Sequence, residues 1–296
     1  MWNRPWKMKE GFAIGISLIT VGVLLQLTVG PVAWETFAWP VNGVVMAAFL
    51  TVIALIYFLR KRVYAFLFLG TNYAAIPAMA LAVVLTIVMG LTIQRPDGEW
   101  FSNMLSFWPF VLVYMQIALI LGQVIINRAI HFNWKRDIPF MLNHLGLFLA
   151  MTTATLGNAD VQRLRMIATE SLPERRAVAD DGMVKTMPMS IELKKFIMET
   201  YDDGSPKRYA SVIKITEKSG HEYEATIDVN KPIVVDGWKI YQYGYDTSMG
   251  AESKISILEL VSDPWLPLVY AGIFMMLGGA VCMFVFGRRE SEKVRK

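Results

Sequence analysis

Cysteine is almost absent from this sequence: Cys282 stands alone among 296 residues. One thiol excludes a disulfide within the chain, a CxxC redox pair and a cysteine-based zinc cluster. P-loop, GxSxG and HExxH patterns are missing, and so are sustained repeats and low-complexity tracts. Aspartate and glutamate are nearly absent from the apolar runs, which argues against a proton-coupled transporter. Histidine is scarce too, with only His131, His144 and His221.

What is abundant is apolar. Hydrophobic residues make up 54% of the chain and charged residues 18%, the balance of a membrane protein. A hydrocarbon core about 30 Å thick needs roughly 20 helical residues. Six runs of that kind occur, at about 12–29, 41–58, 75–93, 107–126, 138–156 and 266–286. The first has no A-x-A-like exit and is expected to stay as a helix rather than be cleaved. A shorter apolar stretch at 63–69 reads as an interfacial lead-in to the third run. The 18 methionines are scattered through the runs as packing residues.

Positive charge is unevenly spread. Arg4, Lys7 and Lys9 precede the first run, and Arg60, Lys61 and Arg62 follow the second. Arg128, Lys135 and Arg136 follow the fourth, and Arg288, Arg289, Lys293, Arg295 and Lys296 follow the sixth. The opposite short loops carry only Arg95. This asymmetry predicts both termini in the cytoplasm. Each basic cluster abuts a membrane helix, so no nucleic-acid partner is expected.

Residues 158–262 then form one extracytoplasmic segment, long enough for a small domain. Residues 222–229 alternate polar and apolar, the period of a half-buried strand. Residues 238–245 and 254–260 are β-rich, and turn residues cluster at 202–206, 218–220 and 235–237. Residues 193–200 fit a short helix or another strand, and 157–170 fit a continuation of the fifth helix. The expected fold is therefore six transmembrane helices with one small, mainly β extracytoplasmic domain between helices five and six. The expected divisions are 1–62 (two N-terminal helices), 63–157 (three core helices), 158–262 (β-rich domain) and 263–296 (final helix and basic tail).

His144 is the residue with most chemistry in a span. An ionisable ring on a membrane helix is costly unless used, and a neutral imidazole is a good metal or haem ligand. The alternative is an interfacial histidine bonded near the head groups. His131 falls in a polar loop and His221 in a hairpin turn. Trp34, Trp39, Trp100 and Trp108 read as an interfacial belt, or as rings lining a flat apolar ligand site.

The most specific stretch is VNKPIVVDGWKIYQYGYD at 229–246, followed by DPW at 263–265 and VYAG at 269–272. Together with DDGSPKRYAS at 202–211, His144-Leu145-Gly146, Phe107-Trp108 and Asn127-Arg128, it resembles the ResB family of cytochrome c biogenesis proteins. The resemblance runs over about 75–289 and leaves the first two helices as additions. The β domain is short for that family.

The resemblance implies a function. With a CcsA-type membrane partner, such a subunit carries haem b across the membrane to apocytochrome c, where the vinyls react with the thiols of a CxxCH motif. It implies His144 as an axial ligand, the other coming from the partner. The tryptophan-rich CcsA motif is absent, so the chain would be an incomplete part of a haem–cytochrome c ligation complex in the bacterial inner membrane. Asn143 would orient the imidazole. Arg163 and Arg165 fit haem propionates, or equally lipid phosphates and domain carboxylates. Gly146 would let a flat ligand or a helix approach closely. The competing function is a membrane-anchored assembly module whose β domain docks a protein, without haem ligation.

Overall fold

The computed structural model describes residues 2–95, 97–134 and 136–294, with side chains as far as Val285. Lys135, Arg295 and Lys296, counted above among the basic clusters, lie outside the described residues, as do the side chains of Arg288, Arg289 and Lys293. Seven helices are described: α1 (Met8–Val29), α2 (Val41–Leu59), α3 (Tyr64–Leu69), α4 (Asn72–Leu91), α5 (Trp108–Ile130), α6 (Ile138–Gly157) and α7 (Leu266–Val294). All except α3 are long and apolar enough to cross a membrane, so the chain is a multi-pass membrane protein. The short α3 occupies the stretch expected as an interfacial lead-in. Its Phe68 is buried against Ala74, Ala78 and Ile120.

The chain divides into two compact units, 1–160 with 265–296, and 161–264. In the helical unit, glycines set how closely the helices approach. A Cβ added to Gly11 or Gly15 would strike Pro77 or Leu81 of α4, and one on Gly22 would meet the Pro109 backbone of α5 at 2.6 Å. α2 lies against α5, with Ile53 over Gly122. The first two helices are thus packed into the bundle rather than appended to it.

The second unit is one antiparallel sheet of eight strands, in the order β5-β4-β3-β2-β1-β8-β7-β6. The strands are β1 (Gln162–Thr169), β2 (Glu174–Ala179), β3 (Val184–Thr200), β4 (Pro206–Thr216), β5 (Glu222–Asp228), β6 (Ile233–Val235), β7 (Trp238–Tyr245) and β8 (Ile255–Ser262). β4 and β8 are four places apart, about 19 Å in a flat sheet. Yet Ser211 on β4 and Ser256 on β8 share a buried 2.7 Å hydrogen bond, and Gln242 on β7 donates to Ser256 at 2.9 Å. The sheet therefore folds over on itself. Met166, Met189, Ile191, Ile213, Ile215, Ile240 and Leu258 fill the space between its halves, all essentially without exposure. Asp236 and Gly237, both at positive φ, make the two-residue turn between β6 and β7.

Two local expectations resolve here. Residues 193–200 are strand, within β3. Residues 157–170 do not continue the fifth helix: α6 ends at Gly157 and β1 begins at Gln162. The reason is a period of two. Leu164, Met166 and Ala168 enter the core while Arg163, Arg165 and Ile167 face out, a division no helix can make from consecutive alternate residues.

On β2, the Arg176 side chain leads the interactions that draw the Glu174 carboxyl down to about 2, with the Arg175 and Arg176 amides adding to it. A lowered folded value stabilises the fold above the ordinary carboxylate range and is lost as pH falls toward 2. Amide protection in β2, taken relative to the intrinsic exchange rate at each pH, should therefore fall below about pH 4.5, and Glu174→Gln should remove much of that dependence.

The candidate site on helix α6

Helix α6 starts on a buried carboxylate. Asp137, with no exposure, accepts Arg136 Nε at 2.8 Å and the Asn133 amide at 3.0 Å, and Arg128 Nε lies 3.2 Å away. The Arg136 hydrogen bond, against an opposing effect of burial, holds the Asp137 carboxyl below the usual carboxylate range. Pro139 follows within the first helical turn, as suits a residue without an amide donor. The sequence reading missed Asp137. An acid directly before Ile-Pro and an apolar run is a helix-start signal that would have pointed to it.

One turn in, the His144 ring is fixed on two sides. Its Nδ1 lies 2.9 Å from the Phe140 carbonyl, and its ring stacks on Phe140 at 3.8 Å between centroids, planes 19° apart. A carbonyl only accepts, so Nδ1 carries the proton in the neutral ring. Nε2 then keeps its lone pair. Arg128 of α5 lies over the Phe140 ring, its Cζ 4.8 Å from the centroid. One turn further along α6, Phe148 is buried and stacked with Phe49 of α2, 6.4 Å apart and 5° from parallel. Phe140, His144 and Phe148 recur at four-residue spacing and so form a stripe along α6.

A second face of α6 is bound to α7. A Cβ on Gly146 would lie 2.6 Å from the Gly272 carbonyl oxygen, and one on Gly272 would lie 2.6 Å from that of Gly146. Of the two uses foreseen for Gly146, it is a helix that comes close. Asn143 donates to the Pro139 carbonyl at 2.7 Å and occupies the space beside Gly279. Its amide is thereby directed to this seam, and no bond joins it to His144.

The remaining candidates lie elsewhere. Arg163 and Arg165 are on β1, in the other unit. Arg165 pairs with Asp180 at 3.4 Å and lies over Tyr243 at 4.6 Å, and Arg163 is exposed. His131 caps the end of α5 and is exposed, and His221 sits beside the Ser219-Gly220 turn. Among the described residues, no three His, Cys, Asp or Glu side chains converge as a metal site. The tryptophans tie loops together: Trp34 donates to the Leu105 carbonyl at 3.0 Å and Trp108 to that of Gly30 at 2.9 Å.

Asp160 is a second polar centre of the helical unit, and no local sequence pattern marks it. Its carboxylate accepts the Trp39 amide at 2.7 Å, Asn42 Nδ2 at 2.7 Å and Trp265 Nε1 at 2.6 Å. These donors join the start of α2 and the start of α7 to the end of α6. All lie more than a hundred residues from Asp160, beyond any local pattern.

The α6 stripe, β1–β7 and the first half of β8 fall within residues 136–258, which match the model of the ResB-like family. Two proteins of Prochlorococcus marinus, from strains NATL2A and NATL1A, are each named cytochrome c biogenesis protein CcsB. Each is 28% identical to this chain over 102 residues, 34% of this chain and 23% of the relative. The match thus spans about a quarter of these relatives' length. A solved chain titled Cytochrome c Heme Lyase CcmF aligns over 81% of this chain and 45% of its own. Its TM-score of 0.37 and 13% identity are too low to carry an argument. Over residues 136–258 this chain is thus similar to the ResB-like family.

Proposed function

We propose that this chain is a haem-ligating subunit of a cytochrome c biogenesis complex. His144 holds haem b within the membrane, a CcsA-type partner supplies the second axial ligand, and the haem passes outward to apocytochrome c. The observation that supports this most is the bond from His144 Nδ1 to the Phe140 carbonyl, inside the ResB-like match. It orients the ring and leaves Nε2 as a neutral nitrogen donor, the form that iron binds. The apolar stripe of Phe140 and Phe148 on either side suits a flat apolar ligand. His144 is the one histidine within a candidate span, and this reading therefore takes the second axial ligand from another chain. The uneven basic charge favours both termini in the cytoplasm of a bacterial cell, the chain in its inner membrane and the β unit outside.

The test is coexpression with the CcsA-type partner, purification in detergent and an optical spectrum. His144→Ala is expected to lose the low-spin haem spectrum and cytochrome c maturation, and added imidazole to restore the spectrum in part. Unchanged haem content and spectrum in His144→Ala would mean that the helices only anchor a protein-docking β domain.

A further inference from the structure

Asp137 is fully buried and meets two arginines, Arg136 and Arg128. Arg136 takes the shorter contacts, Nε to Oδ1 at 2.8 Å and Nη2 to Oδ2 at 3.4 Å. Arg128 approaches the same carboxylate with Nε alone, at 3.2 Å and in poor hydrogen-bond alignment. Among the described residues, the terminal nitrogens of Arg128 have no hydrogen-bond partner, and its side chain is 37% exposed. This guanidinium, near the end of a membrane-spanning helix, carries charge that one shared carboxylate does not neutralise. It lies over the Phe140 ring, on which the His144 ring also stacks.

We infer that Arg128 is the carboxylate-recognition residue of the His144 site, pairing through its terminal nitrogens with an acidic side arm of the ligand that His144 holds. This rests on the haem-ligating reading and extends it to the haem propionates. A guanidinium offers paired N–H donors in the planar geometry of a carboxylate, and such a pair gains strength where water is scarce. Arg165 already faces Asp180. Phe140 touches both Arg128 and His144, so the two lie close enough for one haem to meet a nitrogen donor at its iron and a cation at its acidic edge.

The test uses the purified full-length chain in phosphatidylcholine nanodiscs, titrated with haemin and with haemin dimethyl ester, whose carboxylates are masked. Binding is read from the Soret band. The parent chain is expected to prefer haemin by about tenfold, the worth of a charge-assisted pair at a partly wet site. Arg128→Gln should bind the ester as the parent does and lose the preference. Arg128→Lys, which keeps the charge beside Asp137, should retain part of it. Arg163→Gln and Arg165→Gln should leave it unchanged.

Equal affinities of the parent for both compounds would overturn the assignment, as would a preference that survives in Arg128→Gln. So would loss of both ligands in Arg128→Gln with retention in Arg128→Lys, since Arg128 would then act only through the fold. If phosphatidylglycerol nanodiscs abolish the preference, a lipid phosphate is the group that Arg128 holds, and the assignment again fails. Failure of the parent to bind either compound, with or without its membrane partner, would instead defeat the ligation by His144.

Discussion

Gly272→Leu is expected to destabilise the helical unit by on the order of 3 kcal/mol, the upper range for overpacking a closed contact. The contact leaves no room because it is reciprocal. A Cβ at Gly272 would lie 2.6 Å from the Gly146 carbonyl oxygen, 2.7 Å from the Ala150 amide nitrogen and 3.0 Å from the Ala150 Cβ. Two of these are backbone atoms that no rotamer change can move. Helices in lipid gain little from burying apolar area, so close backbone approach supplies much of their association. The same seam includes Asn143 against Gly279 and Gly157 against Trp265. Gly278 is the control, since a Cβ there meets nothing within 4 Å. Thermal unfolding in detergent should show Gly278→Leu within about 0.5 kcal/mol of the parent. Equal melting of the two variants would mean that α6 and α7 do not meet at these glycines. Gly146 is two residues from His144, so under the proposed ligation Gly272→Leu should also weaken haem binding.

The second large effect belongs to Asp160. Asp160→Ala leaves the Trp39 amide, Asn42 Nδ2 and Trp265 Nε1 without this acceptor, and Asn42 is fully buried. An unsatisfied buried donor costs about 1–3 kcal/mol, so the loss should be on the order of 3 kcal/mol or more. Asn42 retains its bond to the Leu156 carbonyl at 3.2 Å, which keeps the sum below three full penalties. Trp265→Phe removes one donor and should cost about 1 kcal/mol. In a double-mutant cycle, Trp265→Phe should cost less once Asp160 is alanine, because the bond between the two is already gone. Additive losses would show that the two do not act through their bond.

What the sequence made legible followed from local periodicity. Six apolar runs of membrane length became six spans, and alternation over 222–229 became β5. The stretch at 157–170 misled because two arginines and a nearby helix suggested a helical continuation, although Leu164, Met166 and Ala168 already alternated with Arg163, Arg165 and Ile167. At the candidate site, the scarcity of histidine singled out His144, and the four-residue spacing to Phe140 was there to be read. Arg128 counted as basic charge and as part of the Asn127-Arg128 resemblance, with no link to His144. Its approach to Phe140 depends on how α5 packs on α6, which no single-helix pattern carries. Asp160 was invisible for the same reason, its three partners belonging to remote parts of the chain.

The Asp160–Trp265 bond also has a mechanical meaning. The chain leaves the helical unit after Asp160 and returns to it at Trp265, so the bond closes the neck of the loop that carries the β unit. A partner tugging on that unit loads the chain at these two ends, and the neck takes the force first. His144 lies 16 residues before Asp160, about 24 Å along a helix at 1.5 Å per residue. The clamp thus works as strain relief, as a knot protects the joint behind a plug, and lets the β unit be handled without dragging on the helix that carries His144.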